Sequence, residues 1–303
     1  MLYMEETAAK GDAGMQKFCI ISNVTKEGVR ETAFEVEQFL LQNGCICHQL
    51  SHWSPKGTNR WLTQEDIGED TDCILVLGGD GTLIHVCRNL KERQYPVYGI
   101  KMGTLGYLME TDITGMYEAL HHLLSDEYFI EERMMLEGEI IRRGERIFQD
   151  GAVNDIVLNR NGHVNIIRFN MYVNGEWICR YVADGMITAT PTGSTAYNLS
   201  AGGPIVSPEA DLFVVTPICA NAVSARTIIL PGDAVIELEV DATFRSHEAI
   251  RQETNASVYF DGDSYQDLLP GDRVRITRSG SKARLVKTRK ESFLEALRRK
   301  LVD

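Results

Sequence analysis

The pattern of hydrophobic and polar positions divides the chain into two textures. In the first, short apolar runs alternate with longer stretches of helical spacing. Residues 17–22 predict a strand, and residues 25–42 predict a helix with Val29, Ala33, Val36 and Leu40 on one face. Asn43-Gly44 is a helix stop, and residues 45–50 return as a strand. The apolar run 73–77 predicts a buried strand. After it, Leu83, Ile84, Val86, Cys87 and Leu90 fit one face of a helix opening at Thr82. A strand at 97–100 and a helix at 112–124 follow. Alternating strands and helices argue for a parallel, doubly wound sheet.

From about residue 128 the period becomes two. Asn161-Gly162 and Asn174-Gly175 predict hairpin turns between alternating strands. Residues 186–190 and 213–216 are short strand candidates, and 234–241 sets Ile236, Leu238 and Val240 against Glu237, Glu239 and Asp241. Pro-Gly-Asp precedes a strand at Pro231 and again at Pro270, which we read as shared turn chemistry. Ser292 and Glu295 form a capping box ahead of a last helix. The expected fold class is an N-terminal α/β domain with a parallel sheet, followed by a mainly antiparallel β domain. The expected boundaries are a flexible tail at 1–15, the α/β domain at 16–127, the β-rich domain at 128–280 and a C-terminal segment with its helix at 281–303. The polar stretch 51–70, with Trp53 and Trp61, receives no role.

Composition narrows the classes. A chain of 303 residues suffices for one large or two ordinary domains, and 44% hydrophobic residues is globular. The net charge of −12 argues against nonspecific binding to nucleic acid or anionic membranes. No apolar run approaches the ~20 residues of a membrane span, and the polar start has no apolar core for a signal peptide. Seven cysteines without framework spacing point to a reducing compartment, so a cytoplasmic location is expected. Cys45, Cys47, His48 and His52 match no common zinc spacing, and core packing is the simpler reading.

The chemistry concentrates in two stretches. Residues 75–82 read Leu-Val-Leu-Gly-Gly-Asp-Gly-Thr, a strand end, a glycine turn and a helix start. They form neither Gly-x-Gly-x-x-Gly nor a P-loop. Gly78, Gly79, Gly81 and Thr82 offer close backbone approach and helix-start N–H groups to a phosphate. A carboxylate at Asp80 would repel that phosphate, so it suits a magnesium ion or a hydroxyl proton. The structural alternative is an Asp that caps its helix. Residues 183–204, Ala-Asp-Gly-Met-Ile-Thr-Ala-Thr-Pro-Thr-Gly-Ser-Thr-Ala-Tyr-Asn-Leu-Ser-Ala-Gly-Gly-Pro, are dense in Gly, Ser and Thr but carry one charge, Asp184. Such a stretch suits an adenine or ribose face, or else a buried turn with its hydroxyls satisfied internally.

Together the two stretches resemble the NAD kinase family, which makes NADP from NAD and ATP. Gly78-Gly79-Asp80-Gly81-Thr82 is similar to its Gly-Gly-Asp-Gly motif, and 183–204 to its long Thr-Pro-Thr-Gly-Ser-Thr-Ala-Tyr motif. Asn154-Asp155, the turn 103–107, Asp261-Gly262 and the segment 292–301 also resemble family positions, so the similarity spans about 16–301. The resemblance implies a dinucleotide held between two domains, a C-terminal end that returns to the first domain, and a homodimer or homotetramer. It implies NAD and ATP as partners, ATP as phosphate donor, and Mg2+ or another divalent cation as cofactor. It also implies transfer of the γ-phosphate to the 2′-hydroxyl of the adenosine ribose, with Asp80 as general base and Gly81 beside it. Asn154 would hold the adenine, and Asp155 the nicotinamide-side ribose. Ser194, Thr195 and Ala196 would line the adenine pocket, Tyr197 would sit near the diphosphate, Asp184 at the nicotinamide end and Tyr107 against the adenosine. No side chain is assigned as a metal ligand. The chain departs from the family pattern at Asp155, where many members carry Glu, and at Tyr107, where Phe is usual. Asp263 stands where Gln is common, and 217–221 lacks a His that some members carry. The alternatives are a lipid kinase of the diacylglycerol or sphingosine type, which shares the glycine motif, and a non-catalytic NAD(P)-binding sensor.

Overall fold

The apolar runs of the first half become neighbouring parallel strands. The structure, a computed structural model, describes residues 14–53, 66–90, 93–103, 106–161, 166–221, 225–241, 256–290 and 292–302. Two units divide the chain, and neither is continuous in sequence. One comprises Met1–Asn89, Tyr95–Glu131 and Arg284–Ser292, and the other the remainder.

The first unit contains β1 (Lys17–Asn23), α1 (Val29–Gln42), β2 (Ile46–Trp53), β3 (Cys73–Gly78), α2 (Asp80–Leu90), β4 (Pro96–Lys101), β5 (Thr111–Asp112) and α3 (Met116–Leu124). Its strands run parallel in the order β2-β1-β3-β4. Every residue of β3 is buried, the continuous apolar pattern of a central parallel strand. Val29, Ala33, Val36 and Leu40 are buried as the spacing predicts. The helix, however, starts at Val29 rather than near residue 25, because Gly28 at φ 71° turns the chain just before it. Similarly α3 starts at Met116 and not at residue 112, because the Asp112 carboxylate accepts bonds from Thr114 N–H, Thr114 O–H and Gly115 N–H. That closes a turn ahead of the helix. Cys45 is buried and Cys47 half-buried against the unit's core, and burial pushes the Cys47 thiol up to about 12. Trp61 lies outside the described residues.

The rest of the chain forms β6 (Phe129–Arg142), β7 (Glu145–Ala152), β8 (Asp155–Arg160), β9 (Ile167–Val173), β10 (Glu176–Ala183), β11 (Gly185–Ala189), α4 (Tyr197–Ser200), β12 (Leu212–Ile218), β13 (Ile228–Pro231), β14 (Ile236–Val240), β15 (Ala256–Phe260), β16 (Ser264–Leu268), β17 (Arg273–Lys287) and α5 (Phe293–Val302). In the second unit one antiparallel sheet has the order β13-β12-β11-β8-β15-β16. A second set runs β10-β9-β14-β17, with β6 beside β17 and β7 beside β6. A shared apolar core takes Leu158, Met186, Phe213 and Phe260 from the first sheet and Phe169, Leu238 and Ile276 from the second.

Asn174-Gly175 closes the β9–β10 hairpin with φ of 52° and 80°, the left-handed pair that a two-residue hairpin needs. The hairpin predicted at Asn161-Gly162 does not form. β8 pairs with β11 and β15, whereas β9 pairs with β10 and β14, so the chain changes sheets there. Gly162 itself lies outside the described residues. Of the C-terminal segment and helix expected to return to the first domain, residues 284–292 group with the first unit, but α5 groups with the second.

Candidate functional site

In the first unit the site grows from the end of β3. Leu77 is fully buried, and the chain then leaves the strand at Gly78 and enters α2 at Asp80. Gly78 is packed tightly: a Cβ there would lie 2.5 Å from Thr82 Oγ1. Thr82 Oγ1 in turn accepts a bond of 3.1 Å from Asn23 Nδ2, at the end of β1, tying the turn to the neighbouring strand. Gly79 and Gly81 differ. A Cβ on either would meet nothing within 4 Å, and neither has a left-handed φ. The fold gives no reason for glycine there, and a ligand approaching the backbone would.

The Asp80 carboxylate does not cap its own helix. It accepts bonds from the N–H groups of Tyr107, Leu108 (3.2 Å) and Met109 (3.4 Å) in the second glycine turn. Gly106 lets that turn close, since a Cβ there would fall 1.8 Å from Asp80 Oδ1. The structure thus brings Asp80 and Tyr107 together through the Tyr107 backbone. A carboxylate offers about four acceptor positions, so one stays available for a hydroxyl proton. The same turn is held from its far side. The nearly buried Glu110 carboxylate pairs with Lys287 Nζ at 2.9 Å and accepts from Thr288 N–H (3.0 Å) and Arg289 N–H (3.1 Å).

In the second unit a cavity of about 360 Å³ is lined by Asn154, Asp155, Val157, Asn159, Ala196, Tyr197, Tyr259, Asp261 and Gly262. Asp155, Val157 and Asn159 come from one face of β8, as the two-residue period requires. The motif around Thr190 shapes another wall. Thr190 Oγ1 donates to Val153 O at 2.7 Å and accepts from Gly193 N–H at 3.0 Å. Gly193 is required because a Cβ would sit 2.1 Å from Asn154 O. This close approach sets Ala196 and Tyr197 beside Asn154 and Asp155.

The other predicted residues of this stretch are occupied differently. Ser194 is fully buried; its Oγ donates to Val206 O at 3.3 Å and accepts from Val206 N–H at 3.1 Å. Thr195 Oγ1 donates to Thr192 O at 3.4 Å. Asp184 pairs with Arg160 Nε at 2.7 Å. None of these three lines the cavity.

Electrostatics single out Asp155. It is 5% exposed, and burial, aided by the charge of Asp261, raises its carboxyl to about 7. Tyr197 is also raised, first by burial and then by the charges of Cys219, Asp155 and Asp184. Val157, Asn159, Tyr259, Asp261 and Gly262 also line the cavity and are not among the site residues expected from the sequence. The alternation along β8 was a usable signal for the first two. Among the described residues no group of three or more His, Cys, Asp or Glu is arranged to hold a metal ion.

Residues 18–128 match the family model "ATP-NAD kinase N-terminal domain", and residues 153–288 match "ATP-NAD kinase C-terminal domain". A protein of Lachnospira eligens named NAD kinase is 42% identical over 95% of this chain and 100% of its own length. One of Agathobacter rectalis with the same name is 38% identical over 95% and 99%. Among solved structures, yeast NADH kinase in complex with NADH superposes with a TM-score of 0.83 at 25% identity, covering 95% of this chain and 88% of that one. An NAD kinase of Archaeoglobus fulgidus in complex with ATP has a TM-score of 0.71 at 22% identity, covering 94% and 97%, which speaks to the fold.

Proposed function

The chain belongs to the NAD kinase family, and from that premise we propose how its residues divide the phosphotransfer between them. The activity is that of an ATP-dependent kinase acting on NAD. The lipid-kinase and idle-sensor alternatives gain no support from the comparisons.

In our reading the acceptor is the 2′-hydroxyl of the adenosine ribose. Asp80 orients that hydroxyl and takes its proton as the new P–O bond forms; the β–γ bond of ATP breaks and ADP leaves. The Gly78–Gly81 backbone cradles the ATP phosphates at the start of α2, and Thr82, whose N–H donates to Gly79 O at 2.9 Å and whose Oγ1 takes the Asn23 bond, holds the turn in that shape. The observation that carries this assignment is that Gly79 and Gly81 are glycine although nothing in the fold demands it.

Asn154 and Asp155 recognise a nucleoside portion of NAD, Asp155 through the ribose hydroxyls. Ala196 and Tyr197 close the wall opposite. A cavity of about 360 Å³ suits part of the dinucleotide. We keep Tyr107 as a contact to the adenosine and Asp184 as a contact at the nicotinamide end, reached from its pair with Arg160. Ser194 and Thr195 act by holding the pocket wall.

Magnesium fits this chain as a cation carried in by the triphosphate. The described residues offer no preformed ligand cluster, and Mg2+ commonly relies on substrate phosphates. When bound it neutralises phosphoryl charge.

We also propose a homodimer or homotetramer in the cytoplasm. Trp177, 57% exposed on the edge strand β10, supports an assembly, and seven cysteines, none of them in a disulfide, support a reducing compartment. No helix among the described residues is long and apolar enough to cross a membrane.

The test is NADP formation by the purified protein from NAD, ATP and magnesium, with diacylglycerol and sphingosine as control acceptors. NADP formed with turnover is expected. Phosphorylated lipid without NADP would overturn the reading.

A further inference from the structure

We propose that Asp261 is a positioning residue of the second unit's pocket, holding Asn154 and Asp155 at the angle from which Asp155 meets the ribose hydroxyls. The inference rests on the NAD-binding role given above to that pocket.

Asp261 is the first residue after β15, and its φ of 51° is left-handed. Asp tolerates that region better than most side chains do. From there its carboxylate turns back on the start of β8. Oδ2 accepts from Val153 N–H at 2.8 Å, and Oδ1 accepts from Asn154 N–H at 2.7 Å and Asp155 N–H at 3.2 Å. Its own N–H donates to Asp155 O at 3.0 Å. One residue thereby fixes the backbone of three successive residues, two of which line the cavity.

Few side chains can replace it. A carboxylate has two acceptor oxygens and no donor, matching three convergent N–H groups. An amide has one oxygen, and its NH2 would face the Val153 N–H donor to donor. A Glu would add a methylene in a space the backbone has already closed.

The arrangement also sets Asp155's charge. From the β15–β16 turn Asp155 faces Asp261, and from α4 it faces Tyr197; opposite it on β11 stands Ala189, which does not titrate. Two carboxylates share a low-dielectric corner, which favours the neutral form of the more buried one. Ribose hydroxyls donate to an ionised Asp155, so dinucleotide capture should improve as pH rises through about 7.

The experiment is steady-state NADP formation against NAD and against ATP, between about pH 5.5 and 8.5, for the wild type and Asp261→Asn, with thermal melts to check folding. We expect the KM for NAD to rise about tenfold, the scale of a lost charge-assisted hydrogen bond. The KM for ATP should stay within about twofold. The acid limb of kcat/KM for NAD should move to lower pH, because a neighbouring negative charge is gone. Asp261→Glu keeps the charge but misplaces the oxygens; it should raise the NAD KM and leave the limb where it is. It also decides the matter if the Asn variant does not fold. In an Asp155→Asn background, Asp261→Asn should cost less than it does in the wild type, since part of its effect passes through the Asp155 carboxylate. An unchanged NAD KM, an equal rise in both KM values, or additive effects would overturn the role of Asp261. A wild type that forms no NADP would overturn the pocket assignment and this inference together.

Discussion

Two carboxylates carry opposite burdens in this molecule. Asp80 is held by three backbone N–H groups and is proposed as the base. Asp80→Asn keeps the side chain's shape but cannot take a proton. Turnover should fall about 10²-fold or more while NAD still binds. Wild-type kcat in that variant, measured by NADP release, would remove Asp80 from the role. Asp155 has the reverse problem. Its carboxyl is about 7 in the folded protein, against ~3.9 in an unfolded chain. Between those values the folded state binds more protons than the unfolded state, so stability falls as pH rises from about 4 to about 7 and is level above. The cost of ionising Asp155 in place is on the order of 4 kcal/mol above pH 7. Asp155→Asn removes that cost. Relative to wild type, its thermal midpoint without ligand should therefore gain several degrees more at pH 8 than at pH 5. Equal gains at both values would mean that Asp155 is not held neutral by the fold. A residue kept at this cost, in a cavity, fits binding better than packing.

At the scale of elements, the two glycine turns of the first unit work as a pair. The turn after β3 places Asp80, and the turn after β4 closes over it. Gly106 makes the closure possible, because a Cβ there would overlap the Asp80 carboxylate at 1.8 Å. Gly106→Ala should cut turnover nearly as far as Asp80→Asn. Its melting midpoint should fall as well, because the overlap forces the turn off the Asp80 carboxylate and weakens the N–H bonds that tie them. Activity assays and melts on one preparation decide this, and full activity would show that the contact is dispensable. These elements also mark what the sequence discloses. The run into Gly78 and the face of α2 were legible, since one apolar pattern permits one burial. Asn174-Gly175 was legible because its left-handed pair specifies the turn. Asn161-Gly162 has the same letters but follows a strand whose partners lie far along the chain, and local chemistry does not encode that. The site divides in the same way. Asn154, Asp155, Ala196 and Tyr197 could be named from motif resemblance and do line the cavity. Ser194 sits in the same motif, yet its hydroxyl is spent on Val206. Asp261 read only as a turn, because its bonds to 153–155 span more than a hundred residues of chain.

For the whole molecule, the order of elements is less telling than the path of the chain. The first unit takes most of its residues from the N-terminal half, but it is completed by Arg284–Ser292. Arg284 and Leu285 pair in parallel with Pro96 and Val97 of β4. Val286 is 1% exposed within the unit's core. Lys287 meets Glu110, whose side chain is 8% exposed, at 2.9 Å. A fragment of residues 14–131 would lose all three contributions. It would open the edge of β4 at Pro96 and Val97 and leave Glu110 as a buried carboxylate without its cation. Removing one partner of a buried pair costs about 3–5 kcal/mol. A lost Val in the core adds about 1.5–3 kcal/mol. Together these approach the whole stability of an ordinary domain, ~5–15 kcal/mol. The fragment should therefore show no cooperative urea transition by circular dichroism. Joining residues 284–292 to its C-terminus through a flexible glycine-serine linker should restore one. A cooperative transition in the bare fragment would show that the returning segment is an addition to the α/β unit. Restoration by the linked segment would show that it is a structural member of that unit. The second turn would then depend on it as well, because Glu110 joins the turn that holds Asp80 to the segment that returns.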